Sequence, residues 1–286
     1  MKILVTGGTG AVGTILVQSL LKKGADVTVM TSSPEKIADL PNGVGGVVGN
    51  FNDPASLETA FSGYDSLFLL NTVSPQETAQ GLAGVEAAKK SGIKKIVYMS
   101  VFHVEEGKNI PHFGSKIPIE DAVINSGIPY VILRPNNFFQ NDYWFTEVIK
   151  GYKTYPQPVG RKGTTRVDIR DIADAAVNGL MSSDFDNSIY PLNGPEVLKG
   201  EDMARVFTDV LGTDIGFMGN DLEAWGKANE AYMPAEMIED MQIMYKHFDE
   251  HGFSASDEDM KKQREILGTE PRNFADFANE MKPVLT

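Results

Sequence analysis

The chain opens MKILVTGGTGAVG, a short apolar run followed by Gly7, Gly10 and Gly13 in a Gly-x-x-Gly-x-x-Gly spacing. Placed between a strand and a helix, this is chemistry for holding phosphate. One glycine permits a tight turn, another lets backbone approach a pyrophosphate, and the last lets the helix pack closely on the strand. The backbone at Thr9, Gly10, Ala11 and Val12 then offers N–H groups and the positive end of a helix dipole to an anion.

Further polar residues stand where later strands are expected to end. The second strand closes Met30-Thr31-Ser32-Ser33, with Lys36 shortly after. An NAD site usually carries a carboxylate there for the ribose 2′-OH. Here no acid closes the strand. Thr31 and Ser32 offer hydroxyls and Lys36 a positive charge, which favours NADP and makes NAD the weaker candidate. A plain polar loop before a helix stays open as the other reading of Lys36. Asn50 and Phe51 follow the third strand and offer the adenine an acceptor and a ring. Asn71, Thr72 and Val73 follow the fourth, on the ribose and nicotinamide side. Any one of these is also ordinary loop chemistry; their shared place at strand ends gives them weight.

These residues need a scaffold that brings strand ends together. Apolar runs at 3–5, 26–30, 44–48, 66–70, 94–99 and 128–133 read as strands. Helical patterns at 12–23, 54–61, 78–91 and 116–125 alternate with them. Val12, Leu16, Leu20 and Leu21 form an apolar stripe, Asp53 is placed to cap a helix, and Gly24 and Gly92 stop two others. The alternation predicts an α/β protein with a Rossmann-type, doubly wound parallel sheet. Past residue 135 the rhythm changes to aromatic, Pro and Gly segments such as FFQNDYWF, then to helices at 172–180 and 201–211 and a mainly helical tail from 221 to 282. We expect residues 1–135, joined by 166–182, to form the nucleotide-binding domain. Residues 136–165 and 183–286 then make a smaller, mainly helical substrate lobe. Asp171 is expected to cap a helix, with Arg166, Asp168 and Arg170 in structural ion pairs.

Composition narrows the function classes. A net charge of −13 opposes a sequence-independent grip on nucleic acid or anionic lipid. There is no cysteine, which removes thiolate metal sites and cysteine nucleophiles. His103, His112, His247 and His251 offer no zinc constellation, although the last two share a helical spacing. No apolar stretch approaches the roughly twenty residues that span a bilayer, and MKILVTGG reads as a strand, not a signal peptide. A cytoplasmic protein with no membrane contact is expected.

The segment TGGTGAVG, 6–13, resembles the TGxxGxxG turn of extended and atypical short-chain dehydrogenases/reductases. PHFGSK at 111–116, IEDAVINSGIPYVILRPNNFFQN at 119–141, VDIRDIADAA at 167–176 and YPLNGPE at 190–196 resemble, in order, the NmrA-like branch of that superfamily. The likeness covers most of the chain. It implies a Rossmann fold and NADP(H) as cofactor. The branch holds quinone reductases, triphenylmethane-dye reductases, isoflavone-type reductases and cofactor-sensing regulators. NADP-preferring relatives often carry an arginine where Thr31 or Ser32 stands, and relatives usually carry an acid at the Asn50 position. Both departures bear on how strong the NADP preference is.

Typical members of the superfamily use a Tyr-x-x-x-Lys pair with a serine on the preceding strand. By that resemblance Lys116 takes the lysine position and Ser100 the serine position, while His112 stands where the tyrosine acid would be. Two readings follow. As an enzyme, the protein reduces a small conjugated acceptor such as a quinone or quinoid dye, whose product anion is stabilised by delocalisation; His112, Lys116 or water supplies the proton. As a sensor, it binds NADP(H) and acts through a protein partner. Asn137 and Phe138, after the sixth strand, are expected to meet cofactor or substrate. Phe139, Tyr143, Trp144 and Phe145 read either as an aromatic wall for a flat substrate or as core. A sugar-nucleotide epimerase would normally need the missing tyrosine. A homodimer or a protein partner stays open, with the acidic stretch DEHGFSASDED at 249–259 as a candidate surface or a solvated loop.

Overall fold

A computed structural model describes residues 1–286. By its internal contacts the chain forms two compact units. The first comprises Met1–Pro135, Ile169–Pro191 and Glu265–Gly268; the second comprises Asn136–Asp168, Leu192–Arg264 and Thr269–Thr286.

In the first unit, strands and helices alternate: β1 (Lys2–Thr6), α1 (Ala11–Lys22), β2 (Asp26–Thr31), β3 (Gly45–Val48), α2 (Pro54–Phe61), β4 (Ser66–Leu69), α3 (Glu77–Lys90), β5 (Lys95–Met99), α4 (Pro111–Gly114), α5 (Ile117–Ile124) and β6 (Tyr130–Pro135). They form one sheet in the order β3-β2-β1-β4-β5-β6, with the strand Ser188–Leu192 outside β6. The pairings among β1 to β6 are all parallel. The order reverses direction at β1, between β2 and β4, which opens a crevice at the carboxyl ends of those strands.

Both faces of the sheet are covered. Apolar residues of the central strands, among them Leu4, Leu67, Leu69, Ile96 and Ile132, pack with Leu57 and Phe61 of α2, Val85 of α3 and Ile119 of α5. On the other face, α1 lies against the helix Ile169–Met181. Burying each such side chain contributes about 1.5–3 kcal/mol. On α1 the buried stripe is Val12, Leu16, Val17 and Leu20, with Leu21 only half-buried. Asp53 caps α2, accepting from the N–H groups of Ala55 and Ser56.

The helix expected over 116–125 is present as α5, and a separate short helix, α4, ends just before it at Gly114. Pro118 sits in the first turn of α5. It has no N–H to reach the Gly114 carbonyl, and its ring crowds that carbonyl, so the two helices cannot run on as one. Asp171 is not a cap. It lies buried in the first turn of Ile169–Met181, because that helix starts two residues before it.

The second unit has its own core, built from Phe139, Phe145, Ile149, Tyr155, Met203, Phe207, Phe274, Phe277 and Met281. The helices Gly200–Leu211 and Phe274–Leu285 pack in it. At its centre Arg166 and Asp142 form a fully buried ion pair. Burial alone would raise the Asp142 pKa, and the Arg166 charge and hydrogen bonds oppose that rise. No helix is long and apolar enough to cross a membrane.

Candidate functional site

The glycine turn divides its work by position. Gly7 has φ +66°, a left-handed backbone that favours glycine. Gly8 is pressed against β2: a Cβ there would sit 2.6 Å from Val29 Cγ2. A Cβ on Gly13 would collide with the Gly7 carbonyl oxygen, so this glycine sets the close approach of α1 to the turn. Gly10 differs from all three. It is exposed, caps α1 in an extended conformation, and a Cβ would meet only the Gly7 oxygen at 3.3 Å. Its open side is where a ligand can lie against backbone. The Gly10 N–H is spent on the Gly7 oxygen, at 3.0 Å. The free donors are therefore those of the first turn of α1, Ala11, Val12 and Gly13. Thr9, also exposed, precedes them. Thr6 fixes the turn to β4: its hydroxyl accepts from the Leu70 N–H at 2.8 Å and lies 2.9 Å from the Leu70 carbonyl.

Beside the turn is an open hollow of about 260 Å³, lined by Gly8, Thr9, Thr14, Val17, Lys36, Asp39, Leu40 and Pro41. Lys36 belongs to a short 3₁₀ turn, Pro34–Ile37. The same i→i+3 bonding continues beyond it, from the Leu40 N–H to the Ile37 carbonyl. Lys36 and Asp39, three residues apart, both line the hollow. A carboxylate therefore shares the hollow with the lysine, although none closes β2 itself. Thr31 is committed locally: its hydroxyl accepts from the Ser33 N–H at 3.1 Å. Ser32 stays exposed.

Asn50 is also engaged in its own loop, its Oδ1 accepting from the Asn52 N–H at 2.9 Å. Phe51 is half-buried and packs against the core beside Gly84 of α3. After β4, Thr72 and Val73 are exposed, whereas Asn71 is buried. The Asn71 amide donates to the Glu77 carbonyl at 3.1 Å, and its Oδ1 is buried without a partner. Ser100 follows β5, and its hydroxyl is likewise buried and unpartnered. Leu69 and Tyr98 are register partners on β4 and β5. Asn71 and Ser100, each two residues further on, thus leave adjacent strands at one level. Two orphaned buried polar atoms at one level of adjacent strands are costly unless a ligand satisfies them.

Lys116 is buried at the break between α4 and α5, and its ammonium is paired with Glu77, the first residue of α3. His112 lies on α4, half-buried, with its ring edge-on to Phe113 at 4.8 Å. Pairing Lys116 with an acid was not foreseen. Glu77 carries no motif, and only the packing of α3 against the α4–α5 junction brings it there.

In the second unit, Asn137 and Phe138 are half-buried and held by Arg166. The Arg166 Nε donates to Asn137 Oδ1 at 3.1 Å, and its Nη2 donates to the Phe138 carbonyl. The aromatic segment splits. Phe139 and Phe145 are core, Phe139 stacking on Phe277 at 5.7 Å, while Tyr143 and Trp144 are exposed. A continuous aromatic wall is absent, because the short 3₁₀ helix Phe139–Phe145 turns every third residue, Phe139, Asp142 and Phe145, inward and leaves Tyr143 and Trp144 outside.

Known proteins resemble the chain along its whole length. An NAD(P)H azoreductase of Xenophilus azovorans is 25% identical over 278 residues, covering 96% of each chain. The structure of an NADPH-dependent quinone oxidoreductase from Escherichia coli, complexed with NADPH, superposes with a TM-score of 0.88 at 20% identity, over 98% of this chain and 99% of that one. A negative transcriptional regulator, NmrA, solved in complex with NADP, superposes with a TM-score of 0.80 at 18% identity, over 99% and 95%. The model of the NmrA-like family matches residues 1–278. With its turn, sheet order and sequence in agreement, the chain belongs to the NmrA-like family.

Proposed function

We propose that the protein is an NADPH-dependent reductase of a small conjugated acceptor, such as a quinone or quinoid dye. The observation that carries the reading is the pair of orphaned polar atoms, Asn71 Oδ1 and Ser100 Oγ, buried at one level beside the glycine turn. A hydroxyl- and amide-rich group such as a nicotinamide riboside would satisfy them. The exposed edge of Gly10 and the first turn of α1 would take the pyrophosphate. Bound there, the dinucleotide supplies a hydride. Ser32 and Lys36 receive its 2′-phosphate, and Asp39 in the same hollow narrows the preference over NADH. Lys116 meets the nicotinamide ribose. No tyrosine is available as acid, so the acceptor must be one whose reduced anion is stabilised by its own conjugation.

Purified protein should oxidise NADPH when offered quinones, azo or triphenylmethane dyes, and Lys116→Ala should raise the KM for NADPH and lower kcat. A second reading has its own support: the absent acid and the pairing of the Lys116 ammonium with Glu77 suit a protein that binds NADP(H) and signals to a partner. Tight NADPH binding with no turnover of any acceptor would favour it.

A further inference from the structure

Glu77 is buried to 2% exposure, and nothing in the glycine-turn chemistry calls for it. Buried carboxylates are rare unless paired. This one is satisfied on both oxygens: Oε1 takes the Lys116 ammonium, and Oε2 accepts from the Ser115 hydroxyl at 2.7 Å. The Thr78 hydroxyl, next along α3, donates to the Ser115 carbonyl at 2.8 Å. The start of α3 thus grips two successive residues of the α4–α5 break. The Glu77 carbonyl also accepts the Asn71 amide, which fixes Asn71 with its Oδ1 as the unpartnered end. Other charges nearby are already spoken for: Glu120 of α5 pairs with Arg134 of β6, which also holds Glu105.

The consequence lies in the donor count. A lysine ammonium has three N–H donors in free rotation and no geometry of its own. Anchoring one of them on a buried carboxylate fixes the nitrogen and points the other two away from it.

We propose that Glu77 is a positioning residue for the cofactor. It holds the Lys116 nitrogen so that its two remaining donors meet the nicotinamide-ribose diol, and it acts on binding only through Lys116. This rests on the reading of Lys116 as the ribose contact, and it adds a residue on which that contact depends. Adjacent helices fix the pair, so lysine alone, without its acid, does not reproduce the contact.

The test uses two probes, NADPH and 2′,5′-ADP, titrated calorimetrically against wild type, Glu77→Gln, Glu77→Asp, Lys116→Gln and the double variant Glu77→Gln/Lys116→Gln. The fragment 2′,5′-ADP lacks the nicotinamide ribose. Losing a charge-assisted hydrogen bond weakens binding by about tenfold or more. Lys116→Gln and Glu77→Gln should each weaken NADPH to that extent and leave 2′,5′-ADP unchanged. The double variant should bind NADPH no worse than Lys116→Gln, since coupled residues are not additive. Glu77→Asp, which keeps the charge, should recover part of the loss. Additive losses in the double variant, or equal weakening of 2′,5′-ADP, would assign Glu77 to structure alone. Unchanged NADPH binding by Lys116→Gln would instead remove the ribose contact, and the proposal with it. Should Glu77→Gln strand the buried ammonium and fail to fold, the double variant, which buries no charge, and Glu77→Asp decide the question by the same comparisons.

Discussion

Lys36 and Asp39, residues of opposite charge three positions apart, line one hollow beside the glycine turn. A dianionic 2′-phosphate gains from one and is repelled by the other. Asp39→Asn should therefore raise the ratio of NADPH to NADH affinity. Exposed charge pairs are worth about 0.2–1 kcal/mol, so a change of up to about fivefold is expected. Lys36→Ala should weaken NADPH more than NADH. Fluorescence titration with both cofactors measures each; an unchanged ratio in Asp39→Asn would show that the carboxylate does not face the phosphate.

Gly10→Val and Gly13→Val should fail in different ways. At Gly10 the backbone is extended and the Cβ direction is open, so the variant should fold and lose dinucleotide binding. At Gly13 the Cβ would meet the Gly7 carbonyl, and the turn and α1 cannot both keep their places. Circular dichroism and thermal melting should show a native Gly10→Val and a destabilised Gly13→Val. A Gly10→Val protein that still binds NADPH would mean that the open face serves another purpose.

His112→Phe reads out the proton source. His112 sits on α4, one side of the helix break from Lys116. If its imidazole delivers the proton, kcat with a quinone acceptor should fall by about a hundredfold. A fall below about threefold would leave the proton to Lys116 or water and His112 to its edge-on contact with Phe113.

Arg166→Met should destabilise the second unit. The guanidinium is fully buried with Asp142, and it also bonds Tyr155 and the backbone of Phe138. Removing one partner of a buried pair costs about 3–5 kcal/mol, because the other charge is stranded. The double variant Arg166→Met/Asp142→Asn should recover much of that loss. Urea denaturation gives both values, and equal stability of single and double variants would show that Asp142 is not stranded.

Much of the first unit was legible in the sequence because its determinants are local. Glycine spacing, short apolar runs alternating with stretches of helical period, and the cap at Asp53 depend on neighbours in the chain, and they predicted the strands and the parallel sheet. The resemblance at 6–13, 111–116 and 119–141 supplied the family. Pro118 was also visible, and its missing N–H keeps α4 apart from the helix expected over 116–125, which is α5.

The sequence by itself determined where the tight glycine turn falls and which residue types stand at the strand ends. Only the tertiary structure decided what those side chains are free to do. Glu77 and Lys116 lie 39 residues apart, and no spacing rule couples them; the packing of α3 against the α4–α5 break does. Thr31 and Asn50 have the right chemistry in sequence, yet each folds back on its own loop. Phe139 and Phe145 are as aromatic as Trp144, but apolar character alone cannot tell a core face from an open one. A side chain's chemistry is fixed by its identity, whereas its availability depends on neighbours that only the folded chain supplies.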